Sequence, residues 1–208
     1  MAVSGLALVG FIVGHLLGNL LIFSGPDALN AYGAKLRHLG WMLWAVRIFL
    51  IVMVAVHIKT SLELAVENRR ARPQGYRVQR YAETSPAARA MLVSGGLVLA
   101  YLIYHLLHFT FRVTNPGVSH GVDALGRHDI YTMVVRSFQQ PPIVLAYIAG
   151  MACVCLHLSH GVASAFQTLG LTTERTIPVL GWMSRLFALV VFLGYCAIPV
   201  AVLLGIIK

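Results

Sequence analysis

Histidine can bind metals and transfer protons, and this sequence contains nine histidines. Three of the nine, His38, His120 and His128, fall in predicted loops, where solvent satisfies their polar atoms. The other six lie within strongly apolar stretches. An ionisable side chain in such a stretch is costly without a partner, so each of the six is a functional hypothesis. These six are His15, His57, His105, His108, His157 and His160.

The stretches around these histidines are long enough to cross a membrane. Of the 208 residues, 58% are hydrophobic and only 11% are charged. Soluble domains carry about 25% charged residues, so much of this chain is expected to face lipid. Five apolar runs reach the length of about 20 residues that a membrane-spanning helix needs. The runs predict an all-α, single-domain bundle of five transmembrane helices and cover residues 3–23, 41–66, 92–113, 143–166 and 182–207.

The basic residues predict the orientation of this bundle. The net charge of +9 would suggest a nucleic-acid partner for a soluble protein, but here the basic residues lie mostly in loops. Residues 67–89 hold six arginines, and the positive-inside rule places this segment in the cytoplasm. Loops 24–40 and 114–140 then face outside, loop 167–181 faces inside, and no nucleic-acid partner is expected. The three cysteines lie in apolar runs without a metal-binding spacing and are expected to be buried thiols.

Four of the histidines form two pairs at matched depths. His15 and His105 each lie nine residues before the predicted outer end of their helices, a depth of about 13 Å. His57 and His157 lie about 24 Å and about 22 Å in from the outer ends of theirs. We call His15 and His105 the outer pair, and His57 and His157 the inner pair. Each pair joins two helices that run in the same direction, and such helices are diagonal neighbours in an up-and-down bundle.

Two imidazoles that face each other across a bundle can ligate a haem iron from both sides of the macrocycle. The sequence therefore predicts two haems inside the bundle, one on each pair. Zinc is disfavoured because no carboxylate or thiolate lies nearby at a compact spacing. A proton relay would need carboxylates within the core, and Glu63 is expected to pair with Lys59 four residues earlier.

Each ligand of the third and fourth helices has a second histidine three residues later. The motifs are HLLH, which begins at His105, and HLSH, which begins at His157. Depth slightly favours His105 over His108, but the choice within each motif stays open on the residues alone.

Small residues and one arginine are consistent with this interpretation. Three glycines at four-residue spacing share a face of the first helix, and Gly95 and Gly96 lie in the inner half of the third. Such residues serve either close helix packing or room for the edge of a macrocycle. Arg47, in the outer part of the second helix, either extends to the membrane interface or pairs with a haem propionate.

Five segments around these histidines resemble the single-chain, five-helix cytochrome b subunit of succinate:quinone oxidoreductase. This family includes succinate dehydrogenase and fumarate reductase. The resemblance covers essentially the whole chain. It implies that His57 and His157 ligate the haem b nearer the cytoplasm, and that His15 and His105 ligate the outer haem b. The segments that carry it are FIVGHLLGN, VAVHIKTSLELAVENRRARP, YLIYHLLHFTF, HDIYTMVV and CLHLSHGVASAFQTLG.

The resemblance also implies a function. A flavoprotein subunit and an iron–sulfur subunit, which interconvert succinate and fumarate, would dock on residues 68–89 and 167–181 at the cytoplasmic face. The chain would anchor them in the bacterial inner membrane and pass electrons through two b haems to or from a quinone, most often menaquinone. Quinone needs hydrogen-bond donors at the interface, and the outer-side candidates are Arg37, His38 and Arg47.

Two alternative functions remain open on the sequence. The first is a cytochrome b subunit of another quinone-linked dehydrogenase, such as formate dehydrogenase, or of a hydrogenase. The second is a haem-free helical carrier that uses its histidines to move protons.

Overall fold

The computed structural model describes residues 1–71 and 86–208, and every regular element in this part of the chain is a helix. Five helices are long and apolar enough to cross a membrane, namely the first, third, fifth, eighth and ninth, which indicates a multi-pass membrane protein. In chain order the helices are α1 (Ala2–Leu20), α2 (Pro26–His38), α3 (Trp41–Ala71), α4 (Pro86–Arg89), α5 (Met91–His105), α6 (Pro116–Ser119), α7 (Ile130–Phe138), α8 (Pro141–Thr168) and α9 (Thr176–Leu203).

The five predicted spans are confirmed as helices, and their ends differ from the prediction by up to six residues when the π-helical turn Leu106–Thr110 is counted with α5. A 3₁₀ turn, Leu21–Ser24, continues α1, and Gly25 then takes a left-handed φ of 95° that ends the helix. Pro141 occupies the first turn of α8, where its missing N–H is not needed. Gly170, with φ 71°, follows the end of α8.

The two predicted outer loops contain helices that hydropathy does not reveal. Residues 24–40 include α2, and residues 114–140 include α6 and α7. All three helices are short, and α2 is polar as a whole, so none of them forms an apolar run of membrane-spanning length. Asp129 caps α7 by accepting a hydrogen bond of 3.0 Å from the backbone N–H of Thr132. His38 is therefore the last residue of a helix and not a loop residue.

The five long helices pack unequally. α8 and α9 form the most extensive contact, α5 lies against α8, and α1 contacts α3, α8 and α9. Small residues allow the closest approaches, since Gly150 of α8 lies against the ring of Tyr101 on α5, and Gly194 of α9 lies against Leu16 on α1. α3 differs from the other long helices, because none of its 31 residues is buried.

A polar cluster joins the two connections on the predicted outer side of the bundle. Asn30 of α2 is 2% exposed and donates hydrogen bonds to Asp123 at 3.3 Å and to Asp129 at 3.1 Å. Arg127 binds Asp123 at 2.7 Å and Asp27 at 2.8 Å. Desolvation acts to raise the pKa of Asp123, but the hydrogen bonds from Arg127 outweigh it and hold that pKa below its ordinary value. The cluster fixes the segment between α6 and α7 against α2.

Gly150→Ala should destabilise the protein, because the added Cβ would overlap the ring of Tyr101 where α5 crosses α8. Overpacking of this kind costs about 1–3 kcal/mol. Gly181→Ala is the matched control, since Gly181 also lies within a long helix and its Cβ would meet no atom within 4 Å. Thermal unfolding in detergent should show a lower Tm for the first variant only. An unchanged Tm for Gly150→Ala would contradict this packing of α5 on α8.

Candidate functional site

The structure brings the four predicted ligands together as two facing pairs. In the outer pair, the ring centroids of His15 on α1 and His105 on α5 lie 5.9 Å apart, with the rings nearly perpendicular. In the inner pair, the centroids of His57 on α3 and His157 on α8 lie 6.3 Å apart, again edge to face. Each histidine therefore lies beside the partner that its depth in the sequence predicts.

These separations fit a single metal atom between two imidazoles. A metal–imidazole bond is about 2 Å long and the ring centre lies about 1 Å further on, so two imidazoles on opposite sides of a metal have centroids about 6 Å apart. Among the described residues, no group of three or more His, Cys, Asp or Glu side chains could hold a metal ion. Two imidazoles are the donor set for a haem iron, because the macrocycle supplies the other ligands.

Both imidazoles of the inner pair contact a serine on a neighbouring helix. The Nδ1 atom of His57 lies 3.3 Å from the Oγ atom of Ser4 on α1. The Nδ1 atom of His157 lies 3.1 Å from the Oγ atom of Ser94 on α5. Metal-ligating histidines usually engage their second ring nitrogen in this way, which fixes the orientation of the ring. The inner pair thus has the surroundings of a ligand pair as well as the spacing.

The outer pair has aromatic surroundings instead. The Nδ1 atom of His105 lies 3.5 Å from the hydroxyl oxygen of Tyr147 on α8, at the limit of a hydrogen bond. The ring of His15 stacks on Phe11 with a centroid distance of 5.3 Å and lies 6.2 Å from the ring of Tyr195 on α9. The two pairs are therefore alike in geometry and different in environment.

The geometry distinguishes the two histidines of the HLLH motif. His108 is fully buried, with Nδ1 2.9 Å from the hydroxyl oxygen of Tyr147 and Nε2 3.2 Å from the Oγ atom of Ser137 on α7. Both of its ring nitrogens are thus engaged within the protein. His105 is the member of the motif that faces another histidine. His108 therefore joins α8 and α7 to the end of α5 and has a structural role.

In the HLSH motif, too, the first histidine is the one that faces a histidine of another helix. His157, its first histidine, faces His57. His160 lies three residues further along α8 and is half-buried. In both motifs the structure pairs the first histidine with a histidine of another helix.

Three exposed glycines leave open space beside the backbone of α1 and α5. A Cβ added at Gly10, Gly14 or Gly96 would meet no atom within 4 Å. Gly18 differs, because its Cβ would overlap the ring of Tyr32, so this glycine serves the packing of α2 on α1. α3, which supplies one inner histidine, packs mainly on α1 and buries no residue. The two imidazole donors of each pair and the distance between them fit a haem iron.

Two of the three predicted quinone-site residues lie in one cleft at the predicted outer end of the bundle, which we call the outer cleft. Arg37 and Arg47 line a cleft of about 450 Å³ together with Arg112, and Arg47 lies over the ring of Trp44 at 5.1 Å. Burial and the neighbouring guanidinium groups of Arg112 and Arg47 lower the pKa of Arg37 from its ordinary value. Within residues 1–71 and 86–208, these three arginines form no ion pair with a carboxylate. His38 does not line this cleft and is exposed at the end of α2.

Four side chains at these sites are not expected from the sequence: Ser4, Ser94, Tyr147 and Arg112. A signal was available for the serines, since each lies eleven residues before a predicted ligand of its own helix. Tyr147 is one aromatic residue among many in apolar runs. Arg112 has a left-handed φ of 60° after the π-helical turn Leu106–Thr110, and no residue pattern indicates that conformation.

No protein-family model matches the chain, and no curated protein or solved structure matches it. The fold and the site define a class, which is an all-helical membrane protein with two facing histidine pairs at two depths.

His108→Ala should destabilise the protein, because it leaves the hydroxyls of Tyr147 and Ser137 without their partner and opens a cavity. A loss of about 2–5 kcal/mol is expected for a buried truncation of this size. The control is His160→Ala, a half-buried site where the change should stay within about 1 kcal/mol. Unfolding in detergent measures both. A His108→Ala variant that keeps its stability but loses a bound haem would instead identify His108 as a ligand.

Proposed function

We propose that this chain is the dihaem cytochrome b membrane-anchor subunit of a succinate:quinone oxidoreductase in a bacterial cytoplasmic membrane. The observation that carries the proposal is the pair of histidine–histidine contacts, with centroids 5.9 Å and 6.3 Å apart on four different helices. The motifs GHLLGN, VHIKTS, HLLH and HLSHG, which resemble those of this family, support the choice of enzyme.

His57 and His157 would hold one haem b, and His15 and His105 the other. Bound haem supplies one-electron oxidation and reduction. The chain itself places the two rings of each pair edge to face between apolar helices. Because the pairs lie at two depths, the two haems would form a route between the faces of the membrane.

The flavoprotein and iron–sulfur subunits would dock at the end of the bundle where α3 ends and α9 begins. Arg69 and Arg70 lie in the last turn of α3, and Arg175 precedes α9. Residues 72–85, which make up most of the predicted docking segment, lie outside the described residues. The concentration of basic residues here favours the cytoplasmic side for this end.

The outer cleft is the best-supported place for the quinone. Its guanidinium groups are hydrogen-bond donors that can bind a quinone oxygen or a haem propionate. Trp44 and Phe111 supply apolar walls for a ring. Arg37, Arg47 and Arg112 are therefore the proposed residues, whereas His38 lies outside the cleft. Menaquinone is the species that the resemblance implies.

A cytochrome b subunit of another quinone-linked dehydrogenase or of a hydrogenase shares the two-pair geometry and differs in its partners. In the complex purified with its partner subunits, succinate should reduce the b haems, because the iron–sulfur subunit would deliver electrons at the cytoplasmic end. Optical spectra recorded after succinate addition, with malonate-inhibited complex as the control, measure this. Haems that dithionite reduces and succinate does not would favour the alternative.

A haem-free proton carrier has less support. Glu63 of α3 lies 3.6 Å from Lys59, as its spacing predicts, so this carboxylate already has a partner.

Alanine at a ligand should remove one haem of the two. His57→Ala or His157→Ala should remove the inner haem, and His15→Ala or His105→Ala the outer haem. The pyridine haemochrome assay on the purified chain should show the ratio of haem to protein fall by half. His160→Ala is the matched control and should keep the ratio of the unaltered chain. An unchanged ratio in all four ligand variants would make the assignment wrong, and no b-type absorption in the unaltered chain supplied with haem would remove the haem proposal itself.

A further inference from the structure

The two serines beside the inner pair occupy equivalent positions in a repeated sequence. Val-Ser-Gly lies at residues 3–5 of α1 and again at residues 93–95 of α5. After nine further residues, each copy continues with His-Leu-Leu, at residues 15–17 and 105–107. α1 and α5 therefore share the pattern Val-Ser-Gly-x9-His-Leu-Leu. Each of these helices supplies one ligand of the outer pair and one serine to the inner pair.

The contacts are repeated as well as the residues. Each serine lies against the Nδ1 atom of an inner histidine, at 3.3 Å in one copy and 3.1 Å in the other. The glycine after each serine lies beside the same ring. A Cβ added at Gly5 would lie 3.3 Å from Cε1 of His57, and a Cβ at Gly95 would lie 3.4 Å from Cε1 of His157. Serine and glycine together shape one side of each imidazole.

The hydrogen bonds of the serines favour one of the two tautomers of each inner histidine. A serine hydroxyl has a single proton to donate. Ser4 donates its proton to the carbonyl oxygen of Met1 at 2.8 Å, and Ser94 donates to the carbonyl oxygen of Met91 at 3.2 Å. When that proton stays with the carbonyl of the serine's own helix, the hydroxyl oxygen is free to accept from the imidazole. In that arrangement the Nδ1–H group of each inner histidine would be the donor, and Nε2 would keep its lone pair.

We propose that Ser4 and Ser94 are positioning residues that hold His57 and His157 with Nδ1 protonated and Nε2 free to bind an iron atom between them. The identity of that iron as haem iron rests on the proposed function. Four helices then build the inner site, because α3 and α8 supply the ligands while α1 and α5 orient them. An acceptor at Nδ1–H makes an imidazole a stronger donor to its metal, which favours the oxidised iron.

The first test does not need haem. The full chain with ¹⁵N-labelled histidine, purified without added haem, gives nitrogen chemical shifts that report which ring nitrogen is protonated. Ser4→Ala should release the ring of His57 to a mixture of the two tautomers, and Ser94→Ala should do the same for His157. Ser159→Ala is the matched control, because Ser159 lies near His157 on α8 and its hydroxyl donates to the carbonyl oxygen of Leu156 in its own helix. Unchanged tautomers in both alanine variants would overturn the proposal.

The second test uses the haem-loaded chain. A redox titration followed optically should show that Ser4→Ala and Ser94→Ala each raise the midpoint potential of the inner haem. The midpoint potential of the outer haem should not change. Ser→Cys at either position removes most of the acceptor strength with little change in shape, so it should shift the same haem even if alanine impairs folding. Ser→Thr keeps the hydroxyl and should restore the original potential. A purely structural role for the serines would move neither potential or both together, which would overturn the proposal.

The two tests separate this proposal from the proposed function. If the unaltered chain binds no haem, the proposed function fails, and the tautomers still decide whether the serines orient the histidines. If the unaltered chain binds two haems while the serine variants change neither tautomer nor potential, the proposed function stands and the positioning role fails.

Discussion

The need to pair an imidazole inside a membrane is the constraint on which the rest of this structure depends. Helices satisfy their own backbone in lipid, so the polar side chains are the groups that must find partners. Here four histidines on four helices face each other two by two, at 5.9 Å and 6.3 Å between ring centroids. α3 shows the consequence most clearly, because it buries none of its residues in the bundle and yet directs His57 towards the histidine of α8.

The two pairs are not equivalent, and the difference has a chemical meaning. Serine hydroxyls lie against the inner pair, whereas Phe11, Tyr147 and Tyr195 surround the outer one. Hydrogen bonding to a ligand tunes a haem's potential, so two haems in these places would differ in potential. His108 contacts the hydroxyl of Tyr147 at 2.9 Å, and the outer cleft lies where residues 110–112 meet α2 and α3.

Depth could be predicted from the sequence because it depends only on the rise per residue, and hydropathy located all five spans. The rotation of each helix about its own axis, which decides the direction of a side chain, could not be predicted from the sequence. His105 and His108 lie within about 60° of each other on an ideal helix, so spacing alone does not separate them. In the structure His105 faces His15, whereas His108, in the π-helical turn, contacts the hydroxyl of Tyr147. Hydropathy does not predict α2, because this helix is polar as a whole. No residue pattern indicates the left-handed conformation of Arg112.

The central claim is that each facing pair ligates one haem iron from both sides. Low-temperature electron paramagnetic resonance of the oxidised full chain, supplied with haem during expression, tests it most directly. The account predicts two low-spin ferric signals of equal intensity, as two imidazole ligands on each iron require. High-spin ferric haem as the main species, a single low-spin signal, or no haem signal would contradict it.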